Sequence, residues 1–220
     1  MAIAAEIRTV PATYHRNNTR VLFMLAAALG QRDTYTHAHA HRVCAYSHRL
    51  ASRAKVNGDT LLDITMGGML HDVGKLAMSD RIFSNKQACL SKEMLGEVHT
   101  HPLIGAELLR QINCSPAILE TVLYHHERID GSGYPFGLKG AEIPLSAKIV
   151  AVADCFDAIT TDRPYQRRKT LPHALVILEE MGVTCLDPDL VALMIQEIET
   201  KGMEPVMPQS STITSLFQPI

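Results

Sequence analysis

The chain has 220 residues, of which 46% are hydrophobic, with a mean hydropathy of +0.03 and a formal net charge of −2 at pH 7. This length and composition predict a folded domain with its own core and exclude a disordered chain. The near-neutral charge excludes a broad basic surface for long nucleic acid, so an anionic ligand must be held by a few local cations or by metal.

Membrane insertion and disulfide bonds are also not expected. The longest early apolar run covers residues 21–29, well short of the roughly 20 residues that a membrane-spanning helix needs. The five cysteines are scattered, form no C-x-x-C pair and follow no secretory signal pattern. They predict reduced, mostly buried thiols and a cytoplasmic location.

Most of the chain shows the 3.6-residue period of amphipathic helices. Cap and turn signals divide it into segments; the predicted helices cover residues 21–29, 35–55, 60–70, 91–111, 115–126, 144–161, 171–181 and 187–201. No segment alternates as a β-strand would. We therefore predict an all-α domain.

The limits of the domain follow from the segments that lack this period. Residues 1–17 form an N-terminal extension, residues 18–202 the helical domain and residues 203–220 a tail rich in Pro, Gln, Ser and Thr. Residues 131–140 contain several glycines and prolines and are predicted to form a loop. The apolar helix at residues 21–29 is predicted to pack on the domain, with a homodimer contact as the alternative.

The histidines of the second predicted helix fall on two faces. One face, at positions i, i+4, i+7 and i+11, carries His39, Val43, Tyr46 and Leu50, so His39 points into the core with its apolar neighbours. The other three histidines share a polar face that we expect to be solvated: His37, His41 and His48.

Further histidines and carboxylates stand where a helix is apolar or ends. An ionised Asp154 within a strongly apolar helix is costly unless it is paired, and a metal is a natural partner. The other candidates are His71, Asp72, His101, His125 and His126. Imidazole nitrogen and carboxylate oxygen together suit a divalent metal. With Lys75 as an adjacent positive charge, they favour metal-assisted attack on a phosphate ester.

Some neighbours of these residues have a competing interpretation. Asp157 could cap the helix or form a salt bridge rather than bind metal, and Lys75 could be a surface lysine that closes a turn. His99 is a weaker candidate ligand, which its spacing alone does not exclude.

The chain resembles HD-GYP domains, the branch of the HD phosphohydrolase superfamily that degrades cyclic di-GMP. The resemblance extends over residues 35–200 and rests on motifs that occur in the same order. These are His39 with Arg42-Val43, His71-Asp72-Val73-Gly74-Lys75, His101-Pro102 with Gly105, residues 125–135, Asp154 with Asp157-Ala158, and Arg163-Pro164-Tyr165.

The resemblance implies an HD-domain helical core with additional C-terminal helices and a binuclear centre. The first metal would be held by His39, His71, Asp72 and Asp154. The second would be held by His101, His125 and His126, with Asp72 bridging the two. Iron or manganese would fit, and zinc and nickel are not excluded by these ligands.

The resemblance also implies a reaction. A hydroxide bridging the two metals would attack a phosphodiester of cyclic di-GMP and give pGpG, with GMP as a further product. Lys75 would stabilise the developing charge, Arg163 would grip the second phosphate, and Tyr134 would pack on a base or bond a phosphate. The alternatives are another cyclic dinucleotide such as cyclic GMP-AMP, and a non-catalytic module that binds a nucleotide or a signalling protein through the loop at residues 131–140.

Two positions depart from the family pattern. Some members carry a glutamate four residues before the first histidine and bind a third metal, but Tyr35 stands here, so we expect no trinuclear centre. Gln166 stands where many relatives have a basic residue, which predicts weaker substrate affinity or a shifted dinucleotide preference.

Overall fold

The computed structural model describes residues 19–32, 34–84, 90–162 and 167–205. Within these ranges the structure contains helices and turns and no named β-strand, which confirms the all-α prediction. The α-helices, in chain order, are α1 (Thr19–Arg32), α2 (Thr34–Arg53), α3 (Gly58–Leu70), α4 (Asp80–Phe83), α5 (Lys92–Val98), α6 (His101–Gln111), α7 (Pro116–Tyr124), α8 (Leu145–Thr160), α9 (Leu171–Thr184) and α10 (Pro188–Lys201). Two 3-10 segments, Val73–Ala77 and Gly140–Glu142, connect them.

Three of the polar residues expected to start helices do so, whereas the helix predicted from residue 60 begins at Gly58, after Asn57, without a side-chain cap. The side chains of Ser91, Ser115 and Asp187 each precede a helix and accept a hydrogen bond from a backbone N–H of its first turn. Such caps satisfy donors that have no partner within the helix.

The prediction of one continuous helix over residues 91–111 is wrong, because the chain forms α5 and α6 with a turn at residues 99–100. Pro102 lies in the first turn of α6. Proline has no N–H, so it cannot donate to the carbonyl of Val98, and a helix through this point would lose that bond. The break leaves the Val98 carbonyl free for a side chain of the functional site.

The helices enclose two apolar clusters that share α2, α3 and α8. The first cluster, with Leu70 and Leu123 at its centre, joins α1 to α3 with α6 and α7. The second, around Leu50 and Phe156, joins α2 and α8 to α9 and α10. The predicted core face of α2 is confirmed, since His39 and its three apolar partners are all buried. The candidate residues therefore lie at the junction of the two clusters.

Both ends of the described fold are tied to the elements that carry the site. In α1, Arg32 donates to the carbonyls of Leu76 and Met78 and pairs with Asp80, around the 3-10 segment Val73–Ala77. In α10, the buried Glu197 pairs with Arg49 of α2 at 3.2 Å. The predicted packing of the first helix on the domain is therefore observed.

Several sequence predictions have a partial outcome. None of the helices in the described ranges has the length and apolar character to cross a membrane. Cys44, Cys114 and Cys185 are buried free thiols and Cys155 is partly buried. Arg163, Gln166 and the side chain of Tyr35 lie outside what the structure describes, as do most of the predicted extension and tail.

Candidate metal centre

Five histidines and two aspartates, from five places in the fold, meet between the two apolar clusters. Five of the seven lie at the end of a helix or just beyond it: His71, Asp72, His101, His125 and His126. His39 lies in the second turn of α2, and Asp154 lies in the middle of α8. His71, Asp72, His101 and His125 are each at most 2% exposed. Burial of so many polar groups is costly unless each has a partner.

Three of the histidines are oriented in the same way. The Nδ1–H of His71 donates to the Gly68 carbonyl at 2.8 Å, and that of His125 to the Val122 carbonyl at 2.9 Å. His101 uses the Val98 carbonyl, 2.7 Å away, which the break between α5 and α6 leaves free. Because a carbonyl can only accept, each Nδ1 carries the proton and each Nε2 presents a lone pair.

His39 is oriented by a carboxylate. Its Nδ1 lies 2.7 Å from Oδ2 of Asp157, which is fully buried. Arg42 donates to both oxygens of Asp157, at 2.6 and 3.1 Å. Asp157 thus pairs with His39 and Arg42, in agreement with the salt-bridge interpretation. A carboxylate behind a histidine fixes its ring and increases its basicity as a metal ligand.

The Nε2 atoms of these rings approach in pairs. His39 Nε2 and His71 Nε2 are 3.2 Å apart, and His101 Nε2 and His125 Nε2 are also 3.2 Å apart. Two lone pairs at this distance repel each other unless a cation or a proton lies between them. Two nitrogens bound to one metal at about 2.1 Å would lie about 3 Å apart in an octahedral arrangement. Both pairs therefore have the spacing of ligands to a shared cation.

Asp72 lies between the two pairs. Its Oδ1 is 3.4 Å from His101 Nε2, and its Oδ2 is 3.5 Å from His71 Nε2 and 3.9 Å from His39 Nε2. Lys75 Nζ donates to Oδ2 at 2.6 Å. One oxygen thus faces each pair of histidines, the arrangement required of a bridging ligand.

In the absence of metal, the protonation of His39 differs from that of His101 and His126. Burial opposes a charge on His39, but hydrogen bonds to Asp154 and Asp157 outweigh it and raise the pKa of His39 to about 9. Burial lowers the pKa of His101 to about 4 and that of His126 to about 3. At neutral pH, His39 therefore holds a proton where a metal would bind, whereas His101 and His126 are uncharged.

The carboxylates of the centre stay ionised. Burial works against the charge of Asp72, but Lys75 and the neighbouring imidazoles hold its pKa well below the usual range. Asp154 Oδ1 is 3.3 Å from His39 Nε2, and this hydrogen bond likewise outweighs burial and lowers the pKa of Asp154. Negative oxygens are therefore available on both sides of the His39–His71 pair.

The donor atoms fit divalent metal ions. One group consists of His39, His71 and Asp72, with the ligand atoms within 4.8 Å of one another; a second group with the same spacing consists of Asp72, His101, His125 and His126. Neutral imidazole and carboxylate are donors that Fe, Mn, Zn and Ni accept. Because Asp72 belongs to both groups, the arrangement suits two adjacent ions.

The glycine-rich loop lies directly against this centre. The buried Glu127 accepts hydrogen bonds from the backbone N–H groups of Phe136 and Leu138, at 2.7 and 2.9 Å, and so braces the loop. A Cβ on Gly133 would lie 2.5 Å from the carbonyl oxygen of His126. The chain can therefore approach this closely only with glycine at position 133.

The remaining candidates are distributed as follows. The Tyr134 ring stacks on that of His126 with centroids 4.7 Å apart. Of the histidines expected to be solvated, His37 is exposed and His41 is half-buried, whereas His48 is half-buried and lies 3.1 Å from Thr65 Oγ1.

Sequence reasoning missed the pairing of His39 with Asp157 and the stacking of His99 on Tyr134. A helical chain gives no signal for either contact.

Comparison with known proteins identifies the family. The sequence profile of the HD domain matches residues 23–190, so the chain belongs to the HD-domain family. Its phosphohydrolase members use divalent metals, in agreement with the two His–Asp groups. The resemblance predicted from the motifs is thereby confirmed.

Individual relatives support the same branch of the family. The chain is 43% identical over 177 residues to a cyclic di-GMP phosphodiesterase of Pseudomonas aeruginosa, a match that covers 79% of this chain and 41% of that protein. It is 38% identical over 179 residues to a cyclic di-GMP phosphodiesterase of Thermotoga maritima, covering 80% and 48%. The chain thus spans less than half the length of either relative.

A solved structure shares the fold. V-cGAP3, a cyclic GMP-AMP-specific phosphodiesterase of Vibrio cholerae, matches with a TM-score of 0.66 at 19% identity, covering 90% of this chain and 52% of that chain. At this identity the likeness concerns the fold alone. It agrees with the predicted helical core extended by C-terminal helices.

Proposed function

We propose that this chain is a metal-dependent phosphodiesterase that opens cyclic di-GMP to pGpG, with GMP as a further product. The observation that carries the proposal is the presence of two pairs of imidazole nitrogens, each 3.2 Å apart, with one oxygen of Asp72 facing each pair. Identities of 43% and 38% to cyclic di-GMP phosphodiesterases support the choice of substrate.

The ligand roles are part of this proposal. His39, His71, Asp72 and Asp154 hold one ion, and His101, His125 and His126 with Asp72 hold the other; iron or manganese suits these nitrogen and oxygen donors. Bound divalent ions would lower the pKa of a bound water towards about 7 and would neutralise charge on the oxygens of the scissile phosphate. The carbonyls and the Asp157 carboxylate that hold the Nδ1 atoms keep four rings ready to bind.

Lys75 is proposed as the residue that stabilises charge during the reaction. Its ammonium group lies 2.6 Å from Asp72 Oδ2, while its side chain is 27% exposed. It can therefore contact both the centre and a ligand arriving from solvent. A fixed positive charge at this position favours the transition state, in which negative charge grows on the phosphate and on the leaving oxygen.

Substrate contacts beyond the centre are proposed from the sequence. Arg163 binds the second phosphate of the dinucleotide, and Tyr134 packs on a base or bonds a phosphate. The predicted cytoplasmic location, the homodimer and a signalling partner at residues 131–140 stay predictions.

The proposal is tested by turnover of two matched variants. Asp72→Ala removes the residue common to both groups, so we expect it to abolish both metal binding and formation of pGpG. His41→Ala removes a half-buried histidine of the same region that belongs to neither group, and we expect both properties close to wild type. Products are resolved by chromatography.

Different outcomes separate the alternatives. Equal loss in the two variants would contradict the assignment of ligands. A wild-type protein with both metals that hydrolyses cyclic GMP-AMP but not cyclic di-GMP would assign the centre to another cyclic dinucleotide. Binding of cyclic di-GMP without hydrolysis would favour the non-catalytic module.

A further inference from the structure

His126 is held differently from the other four histidines of the centre. Those four rings each have an orienting partner at Nδ1, a carbonyl or a carboxylate. Within the described ranges the His126 ring forms no hydrogen bond, and three aromatic rings contact it: Tyr134 stacked at 4.7 Å and 26°, His101 edge-on at 5.0 Å, and His125 tilted at 4.1 Å. The orientation of this ring therefore depends on packing rather than on a hydrogen bond.

Tyr134 is brought to His126 by the backbone of the loop. The Tyr134 N–H donates to the His126 carbonyl at 3.2 Å. The preceding Gly133 passes so close that an added Cβ would overlap the backbone nitrogen of Arg128. These contacts fix the position of the Tyr134 backbone. The orientation of its ring also depends on what packs against the face opposite His126.

His99 covers that other side. Its ring stacks on the Tyr134 ring with centroids 4.0 Å apart and an interplanar angle of 20°. This pair is closer and more nearly parallel than the Tyr134–His126 pair. His99 directly follows α5, and its N–H donates to the Leu95 carbonyl at 2.9 Å. This hydrogen bond anchors the His99 backbone to the helix, although its side chain is exposed.

We propose that His99 is a positioning residue for the second metal group, because it clamps Tyr134 against His126 in a stack of three rings. The inference rests on the proposed two-metal function and assigns His99 no contact with metal. Offset stacking of aromatic rings is favourable in itself. Partners that orient a metal ligand typically affect metal affinity by about 10–100-fold.

The test measures Mn²⁺ binding to the metal-free protein, with free Mn²⁺ followed by electron paramagnetic resonance. His99→Ala removes the outer ring of the stack, and His99→Phe keeps a ring without imidazole nitrogens. The control is His173→Ala, which removes an exposed histidine in the first turn of α9. Thermal unfolding of each variant verifies that the fold is intact.

For His99→Ala we expect one of the two Mn²⁺ sites to weaken by about tenfold or more, with the other within about twofold of wild type. His99→Phe restores most of the affinity, and His173→Ala leaves both sites unchanged. Wild-type affinities in His99→Ala, equal weakening of both sites, or no rescue by phenylalanine would each overturn the proposal.

The readout keeps this inference apart from the proposed activity. Wild-type protein that binds two Mn²⁺ ions but hydrolyses no cyclic dinucleotide contradicts the function and leaves the role of His99 standing if the variants behave as described. Wild-type protein that binds one Mn²⁺ ion while it turns over cyclic di-GMP removes the second group and the role of His99 with it.

Discussion

Three histidines of the centre use the same local device at the end of a helix. The last carbonyls of a helix have no intrahelical partner, and His71, His101 and His125 each donate Nδ1–H to such a carbonyl three residues earlier. One hydrogen bond thereby satisfies the carbonyl, fixes the tautomer and directs Nε2 to the centre. A histidine just after an apolar helix thus has a structural reason to be a ligand.

The protonation of His39 predicts a pH dependence that only one of the two sites should show. A metal binds neutral imidazole, so the ion held by His39 must displace a proton wherever pH is below its pKa of about 9. Affinity at this site should rise about tenfold per pH unit between pH 6 and 8. The other site contains His101 and His126, with pKa values of about 4 and 3, and should change little over this range.

Mn²⁺ titrations at pH 6, 7 and 8 measure both affinities. Asp157→Asn serves as the matched variant, because loss of the carboxylate behind His39 lowers the pKa of this ring and should flatten the slope. Equal slopes at the two sites in the wild-type protein would contradict the difference in protonation.

At the residue scale, the sequence showed which residues come together but not which contacts they make. His39 and Asp154 could be identified because each is a polar group on an apolar helix face, which requires a partner. The partner of His39 at Nδ1 could not, since Asp157 is 118 residues away and only the packing of α8 against α2 joins them. The stack of His99 on Tyr134 is non-local in the same way.

At the scale of elements, a close crossing brings Asp72 and Lys75 to His101. The 3-10 segment Val73–Ala77 passes over the start of α6, where a Cβ on Gly74 would overlap the carbonyl oxygen of His101 and lie 2.7 Å from the nitrogen of Gly105. Both neighbours are backbone, so neither can rotate away. Gly74 therefore permits the approach of two parts of the centre.

Gly74→Ala should destabilise the protein by about 1–3 kcal/mol through overpacking and weaken metal binding, because the segment carrying Asp72 and Lys75 must shift away from His101. Gly96→Ala is the control: it lies in α5, a Cβ there meets nothing within 4 Å, and helix propensity favours alanine by up to about 1 kcal/mol. Chemical denaturation and Mn²⁺ titration measure both effects. A Gly74→Ala protein as stable and as metal-competent as wild type would refute this account of the crossing.

The helices themselves were largely predictable, and the exception is informative. Hydrophobic period and capping residues located the long helices to within a few residues, because both signals are local. The break at residues 99–100 was missed because Met94, Val98, His101 and Gly105 continue a helical stripe through it. Pro102 was the signal that could have revealed the break, and the break supplies the carbonyl that orients His101.

At the scale of the whole molecule, the centre is held together by packing rather than by one local motif. The helices α2, α3, α6, α7 and α8 carry ligands or end next to them, and two apolar clusters hold these helices together. The clamp of Glu197 on Arg49 ties α10 to the helix that carries His39. We infer that folding and metal binding stabilise each other, because ions hold the ends of helices that pack on different cores.

The measurement that tests the central claim most directly is elemental analysis of the wild-type protein, purified without oxygen, together with its products from cyclic di-GMP. The account predicts close to two iron or manganese ions per chain and formation of pGpG. One ion per chain would contradict the two groups that share Asp72, and three would contradict the inference drawn from Tyr35. Two ions without hydrolysis of cyclic di-GMP would refute the proposed activity.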